Sequence, residues 1–134
     1  MGMNTQTAIV SLLLFPLLST GLAAQDLGLR AAATTQSMFA SVDGAARDSC
    51  VVLVLGMSAT PTRLPDGQVL GISPDLLADF AIADGRNPTA VHVRFASALP
   101  RGFTFYAQAV SIDLTLALNA QQFDLSQVET VVVR

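Results

Sequence analysis

Cys50-Val51-Val52-Leu53-Val54-Leu55-Gly56-Met57 is an unbroken apolar run of eight residues. Its length and β-branched content, and the turn residues on either side, fit a central strand buried on both faces. The chain upstream and downstream follows the same logic. Met38, Ala40 and Val42 alternate within Ser37–Val42, and Asp43-Gly44 and Arg47-Asp48 then turn the chain into the apolar run. Residues 56–67 read as a loop punctuated by Pro61, Pro65 and Asp66-Gly67, with a short strand at Val69–Ile72.

Ser73-Pro74-Asp75 could open a helix, with Ser73 as cap and Pro74 in the first turn. Leu76, Ala78, Phe80 and Ile82, however, recur at the strand period, so Leu76–Ala83 is read as a strand and a short helix is the alternative. Asp84-Gly85-Arg86-Asn87-Pro88 is a turn. Thr89–Ala96 then alternates cleanly, with Val91, Val93 and Phe95 on one side and His92 and Arg94 on the other. Leu99-Pro100-Arg101-Gly102 turns the chain again, and a long strand from Phe103 to about Asp113 precedes a bend. Gln121–Asp124 is polar, and Val128–Val133 forms a last strand. Residues 25–36 read as a lead-in segment that could hold an early edge strand.

Six to eight short strands with turns at fairly regular spacing predict an all-β, antiparallel β-sandwich of the Ig-like or jelly-roll-like kind over residues 37–134. No βαβ alternation or internal repeat is visible. Composition agrees. The chain of 134 residues has no Lys; its seven basic residues are all Arg, and nine of its ten acidic residues are Asp. Exposed helix faces normally draw on Lys and Glu, while Asp, Gly and Pro belong to turns. Net charge is −3 and no Arg cluster exists, which argues against nucleic acid as a partner.

Ala8–Leu18 is an apolar stretch of about eleven residues, long enough for a signal-peptide core and too short to span a bilayer. Gly21-Leu22-Ala23 supplies small residues for cleavage after Ala23, with cleavage after Ala24 as the alternative. Residues 1–24 are therefore read as a signal peptide, although Met1–Thr7 carries no Lys or Arg. The competing reading is a retained anchor or a buried N-terminal helix. Cleavage leaves about 110 residues, enough for one two-layer core, with no stable membrane span. The expected location is the periplasm, the cell envelope or the exterior. One Cys permits no internal disulfide even in an oxidising compartment.

Several of these segments resemble a group of small exported bacterial β-sandwich domains of the planctomycete and myxobacterial type. The likeness runs through the apolar strand ending at Gly56, Leu64-Pro65-Asp66-Gly67 and Asp84-Gly85. It is best at Leu99-Pro100-Arg101-Gly102-Phe103-Thr104-Phe105-Tyr106-Ala107-Gln108-Ala109, followed by Asp113, and continues at Leu125-Ser126-Gln127. Gln127 stands where the family usually has Asn, and Ser49-Cys50 where Gly-Cys is common. The resemblance covers most of Phe39–Val133. It implies a fold, an exported location and an absence of catalysis, and it names no site residues.

Reactive chemistry finds little support. His92 is the only His, and it reads as a solvent-facing strand residue. A Ser triad needs such a base beside an activated Ser and a carboxylate, and Gly56-Met57-Ser58-Ala59-Thr60 lacks the second Gly of a nucleophile elbow. One His and one Cys do not make a zinc site. Asp66, Asp75, Asp79 and Asp84 crowd the middle of the chain but form no alternating calcium loop. Cys50 reads as a small buried hydrophobe; a nucleophile or an intermolecular disulfide are the alternatives. Tyr106 reads as a packed strand residue with a bonded hydroxyl. Gln108 lies inside an apolar strand, so its amide must find partners and is expected to fix a neighbouring loop or strand end. The sequence thus predicts no catalytic, cofactor or metal residues. It points to a non-catalytic module that works through surface contacts with an unknown protein or envelope partner. The alternative is a small secreted ligand-binding or inhibitory protein.

Overall fold

The computed structural model describes residues 27–117, 120 and 122–134; the signal peptide read at residues 1–24 lies outside the described residues. Among the described residues ten strands follow one another: β1 (Gly28–Ala33), β2 (Ser37–Asp43), β3 (Cys50–Gly56), β4 (Thr62–Arg63), β5 (Val69–Leu70), β6 (Leu76–Ile82), β7 (Thr89–Arg94), β8 (Thr104–Ile112), β9 (Asp124–Leu125) and β10 (Glu129–Val132). The described residues contain no α-helix, so the helical alternative at Ser73–Asp75 is not adopted. Every ladder between named strands is antiparallel.

The main sheet has five strands. β6 pairs with β3, β3 with β8, and β8 carries both β9 and β10 along its far edge. A second sheet has the order β1-β2-β7, and β4 and β5 form a separate hairpin. That hairpin reverses through Asp66-Gly67, where the positive φ of Gly67 (89°) admits a residue without Cβ.

Alternation explains the inner faces. Met38, Ala40 and Val42 of β2 and Val91 and Val93 of β7 point inward. They meet Val51, Leu53 and Leu55 of β3, and Phe105, Ala107 and Ala109 of β8, in one shared apolar cluster. β3 lies between β6 and β8. Its other face joins a second cluster, where Val54 and Val110 pack with Leu70 and Ile72 from the hairpin side and with Phe123 and Leu125. The apolar run at Cys50 is therefore a central strand with apolar contacts on both faces, as its sequence predicts.

β6 departs from its sequence reading. A strict alternation would place Leu76, Ala78, Phe80 and Ile82 on one face. The ladder to β3 instead slips between Leu53 and Val54, which oppose Asp79 and Leu77, and Ala78 is left unpaired as a bulge. Ala78 and Ala81 pack against the inner cluster. Leu77, Phe80 and Ile82 stand opposite Val54, Val52 and Cys50, on the outer face. β4 and β9, two residues each, lie in stretches read as loop or polar connection; pairs this short leave no period to detect.

Candidate functional site

The two sheets meet along two sides, and the sides differ. Where β1 approaches β10, the contact is closed. Isolated bridges join Leu27 to Ser126 and Ala33 to Val133. Between them the Gln127 amide acts as a surrogate strand: its Oε1 accepts the Leu29 N–H at 3.3 Å and its Nε2 donates to the Leu29 carbonyl at 2.8 Å. Beside it, Ser126 is fully buried, accepts the Ala109 N–H at 2.8 Å and donates to the Gln127 carbonyl at 2.8 Å. Gln108 completes the network. Its Oε1 accepts the Gly71 N–H at 2.8 Å and its Nε2 donates to the Ser126 carbonyl at 2.7 Å. The loop-fixing role expected of Gln108 is what the structure shows; the parts played by Ser126 and Gln127 could not be read without knowing which strands adjoin.

Asp66 secures the hairpin over the outer face. It accepts the Phe123 N–H at 2.9 Å and the Gln68 N–H at 3.0 Å, and it also takes a hydrogen bond from the Gln68 side chain. Partial burial pushes its carboxyl upward, but the hydrogen bonds from the Gln68 side chain and from the Phe123 and Gln68 backbone outweigh that. The group is held below its ordinary value.

Where β6 approaches β7, the contact is open. The two strands run close together, but among the described residues no strand pairing joins them. A cleft of about 510 Å³ opens here, with Leu55 and Met57 at the end of β3, Leu76 on β6, Val93 on β7, and Phe95 and Phe103 beyond. Phe95 and Phe103 both bear on Phe105, Phe95 edge-on at 6.4 Å and 88° and Phe103 tilted at 6.3 Å. The volume falls in the range of small-molecule sites, which pair an apolar wall with a few convergent polar groups; here Arg94 and Ser97 line the cleft beside its apolar wall. At the rim, Asp75 is already engaged, accepting the Met57 N–H and the Ser73 hydroxyl, both at 2.7 Å. These two bonds hold its carboxyl below the ordinary range.

Around the corner from the cleft, Leu77, Phe80 and Ile82 form an apolar strip on the outer face of β6, with exposures of 68%, 64% and 52%. The hairpin and Phe123 cover this face over β8 and β9 and leave the β6 end bare.

The remaining sequence candidates are dispersed. His92 is on the exposed face of β7, where it stacks face to face on Phe39 with ring centroids 4.2 Å apart and planes 4° from parallel. It does not line the cleft. Cys50 is buried at the start of β3, and desolvation raises its thiol pKa, which disfavours the thiolate. Tyr106 packs half-buried against the second cluster, and its hydroxyl has no hydrogen-bond partner among the described residues, so the bonded hydroxyl expected of it is not seen. The four Asp residues serve separate local jobs. Asp84 accepts the N–H groups of Arg86 and Asn87 at 2.8 and 2.9 Å, and Asp79 accepts the N–H of Phe80 at 2.8 Å. Among the described residues no three His, Cys, Asp or Glu side chains gather into a possible metal-binding group, and no helix is long and apolar enough to cross a membrane.

Comparison of the chain with protein-family models, curated proteins and solved structures finds no match.

Proposed function

We propose that this chain is a non-catalytic, exported β-sandwich module, Ig-like or jelly-roll-like, that works through surface contacts with a protein or envelope partner in the periplasm, in the cell envelope or outside the cell. The observation that carries the reading is the strip of Leu77, Phe80 and Ile82, three large apolar side chains side by side on the outer face of β6. Contiguous exposed apolar surface commonly marks an interaction site, whereas scattered apolar residues do not. A sandwich is supported by the apolar cluster that the inner faces of the two sheets share. Export rests on the Ala8–Leu18 core and the small residues at Gly21 and Ala23. The likeness to small exported domains of the planctomycete and myxobacterial type points the same way.

The test is cell fractionation with mass spectrometry of the N-terminus. The chain is expected to begin at Ala24 or Gln25 and to be retained with envelope material or a partner, whereas Leu77→Ser/Phe80→Ser/Ile82→Thr is released. Equal distribution of the two proteins refutes the contact reading, and an intact Met1 refutes export. The cleft favours a second reading, a small secreted ligand-binding protein that takes a mainly apolar molecule. An environment-sensitive apolar dye should then bind the native chain and not Ala78→Phe, which fills the rim; equal binding refutes it.

A further inference from the structure

We infer that Asp79 shuts the free edge of β6 against pairing with a second copy of the chain. β6 has one ladder partner, β3, and so forms an edge of the main sheet. An edge strand presents unpaired N–H and C=O groups, and one rich in Leu, Phe and Ile is a template for strand addition. β6 reads Leu76-Leu77-Ala78-Asp79-Phe80-Ala81-Ile82, with a single charge at its centre. That charge coincides with two features of the backbone. The bulge at Ala78 interrupts the ladder immediately before it. The Asp79 carboxylate also folds back and accepts the Phe80 N–H at 2.8 Å. A donor that an added strand would need is thus occupied, a bend breaks the straight run of backbone, and a carboxylate would have to be desolvated beside the incoming chain. A bulge and a charge are both devices by which edges escape pairing, and here they fall on adjacent residues of the most exposed apolar strand in the fold.

A two-fold antiparallel pair centred on β6 would also set Asp79 close to its own copy, and like charges directly opposite one another destabilise a sheet. The apolar strip therefore remains in solvent without the backbone beside it polymerising. This holds whether or not the strip contacts a partner.

The experiment compares the protein as isolated from the cells that make it with Asp79→Val and Asp79→Asn, by sedimentation velocity at equal concentration and by infrared spectroscopy in the intermolecular β-sheet region. Asp79→Val is expected at least to double the weight-average mass and to add an intermolecular β band. Asp79→Asn keeps an acceptor for the Phe80 N–H but loses the charge, and is expected to associate less than Asp79→Val. Adding Phe80→Pro to Asp79→Val removes that N–H at an edge position, where Pro is tolerated, and should restore the native mass. The inference is overturned if Asp79→Val sediments as the native chain does. It is also overturned if Asp79→Asn associates equally, or if Phe80→Pro leaves the association of Asp79→Val intact. None of these readouts depends on release from the envelope, so failure here is distinguishable from failure of the contact reading.

Discussion

The side of the molecule where β1 meets β10 and the side where β6 meets β7 join the same two sheets in opposite ways. On the first, a long polar side chain reaches across and satisfies backbone groups, Gln127 meeting Leu29 with both ends of its amide, and behind it Gln108 holds the Ser126 carbonyl and ties it to Gly71 at the end of the hairpin. On the second, the facing wall is mainly Leu, Met and Phe, and among the described residues its polar side chains, Asp75, Arg94 and Ser97, carry no hydrogen bond from one sheet to the other. Burial is available on both sides. What closes a junction between sheet edges is a partner for its backbone groups, because an unpaired buried N–H or C=O costs more than a typical apolar contact returns. The open side is consequently where a cleft and an exposed apolar strip survive.

The sharpest way to break the contrast is at the closed side. Gln108→Ala should strand the Gly71 N–H and the Ser126 carbonyl and cost about 3 kcal/mol, at 1–3 kcal/mol for each buried group left unsatisfied. Urea unfolding should show this as a lower midpoint with unchanged slope. At the open side, Gly56 ends β3 against the opposite loop, and a Cβ there would lie 2.2 Å from the Ser73 carbonyl oxygen. Gly56→Ala should cost about 2 kcal/mol by forcing that backbone away. It should also perturb amide shifts around Met57 and Asp75 on the cleft rim rather than around Gln127.

Acid provides a gentler test. The folded carboxyl of Asp66 is held below the ordinary Asp value of about 3.9. The stability it contributes is therefore complete above about pH 5 and is lost as the pH falls through the lowered folded value. Asp66→Asn should flatten the acid limb of the stability curve in calorimetry and leave the neutral-to-alkaline limb parallel to that of the native chain. The smallest expected effect belongs to the exposed strip. Leu77→Ser should change stability by no more than about 0.5 kcal/mol, which thermal unfolding can verify, so any loss of partner contact in that variant is not a folding defect.

Much of the scaffold was legible because its period is local. Met38, Ala40 and Val42, and Val91 and Val93, alternate in sequence and are buried in the fold. The Cys50 run advertises a strand covered on both sides because it never alternates. The four residues of β4 and β9 were illegible, since a two-residue pairing is set by the partner across it. β6 was legible as a strand but misleading as a surface. The slip opposite Leu53 and Val54 lies in the ladder and not in the spacing of Leu76, Ala78, Phe80 and Ile82. The candidate site was hidden for the same reason, because an apolar residue on a strand carries no mark of whether another layer will reach it.

The amino-acid order alone determined that strands would form, where most of them begin and end, and that Gln108 would need partners, since each of these follows from backbone preference, side-chain period and the cost of burying an amide. Which edges would be sealed was decided only by the tertiary arrangement. It placed Gln127 opposite Leu29, left β6 and β7 adjacent but unpaired, and laid the hairpin over β8 and β9 without reaching Leu77, Phe80 and Ile82. The physical reason is that covering a face or pairing an edge depends on what lies within a few ångströms, and residues far apart in the chain meet only once the sheets have assembled.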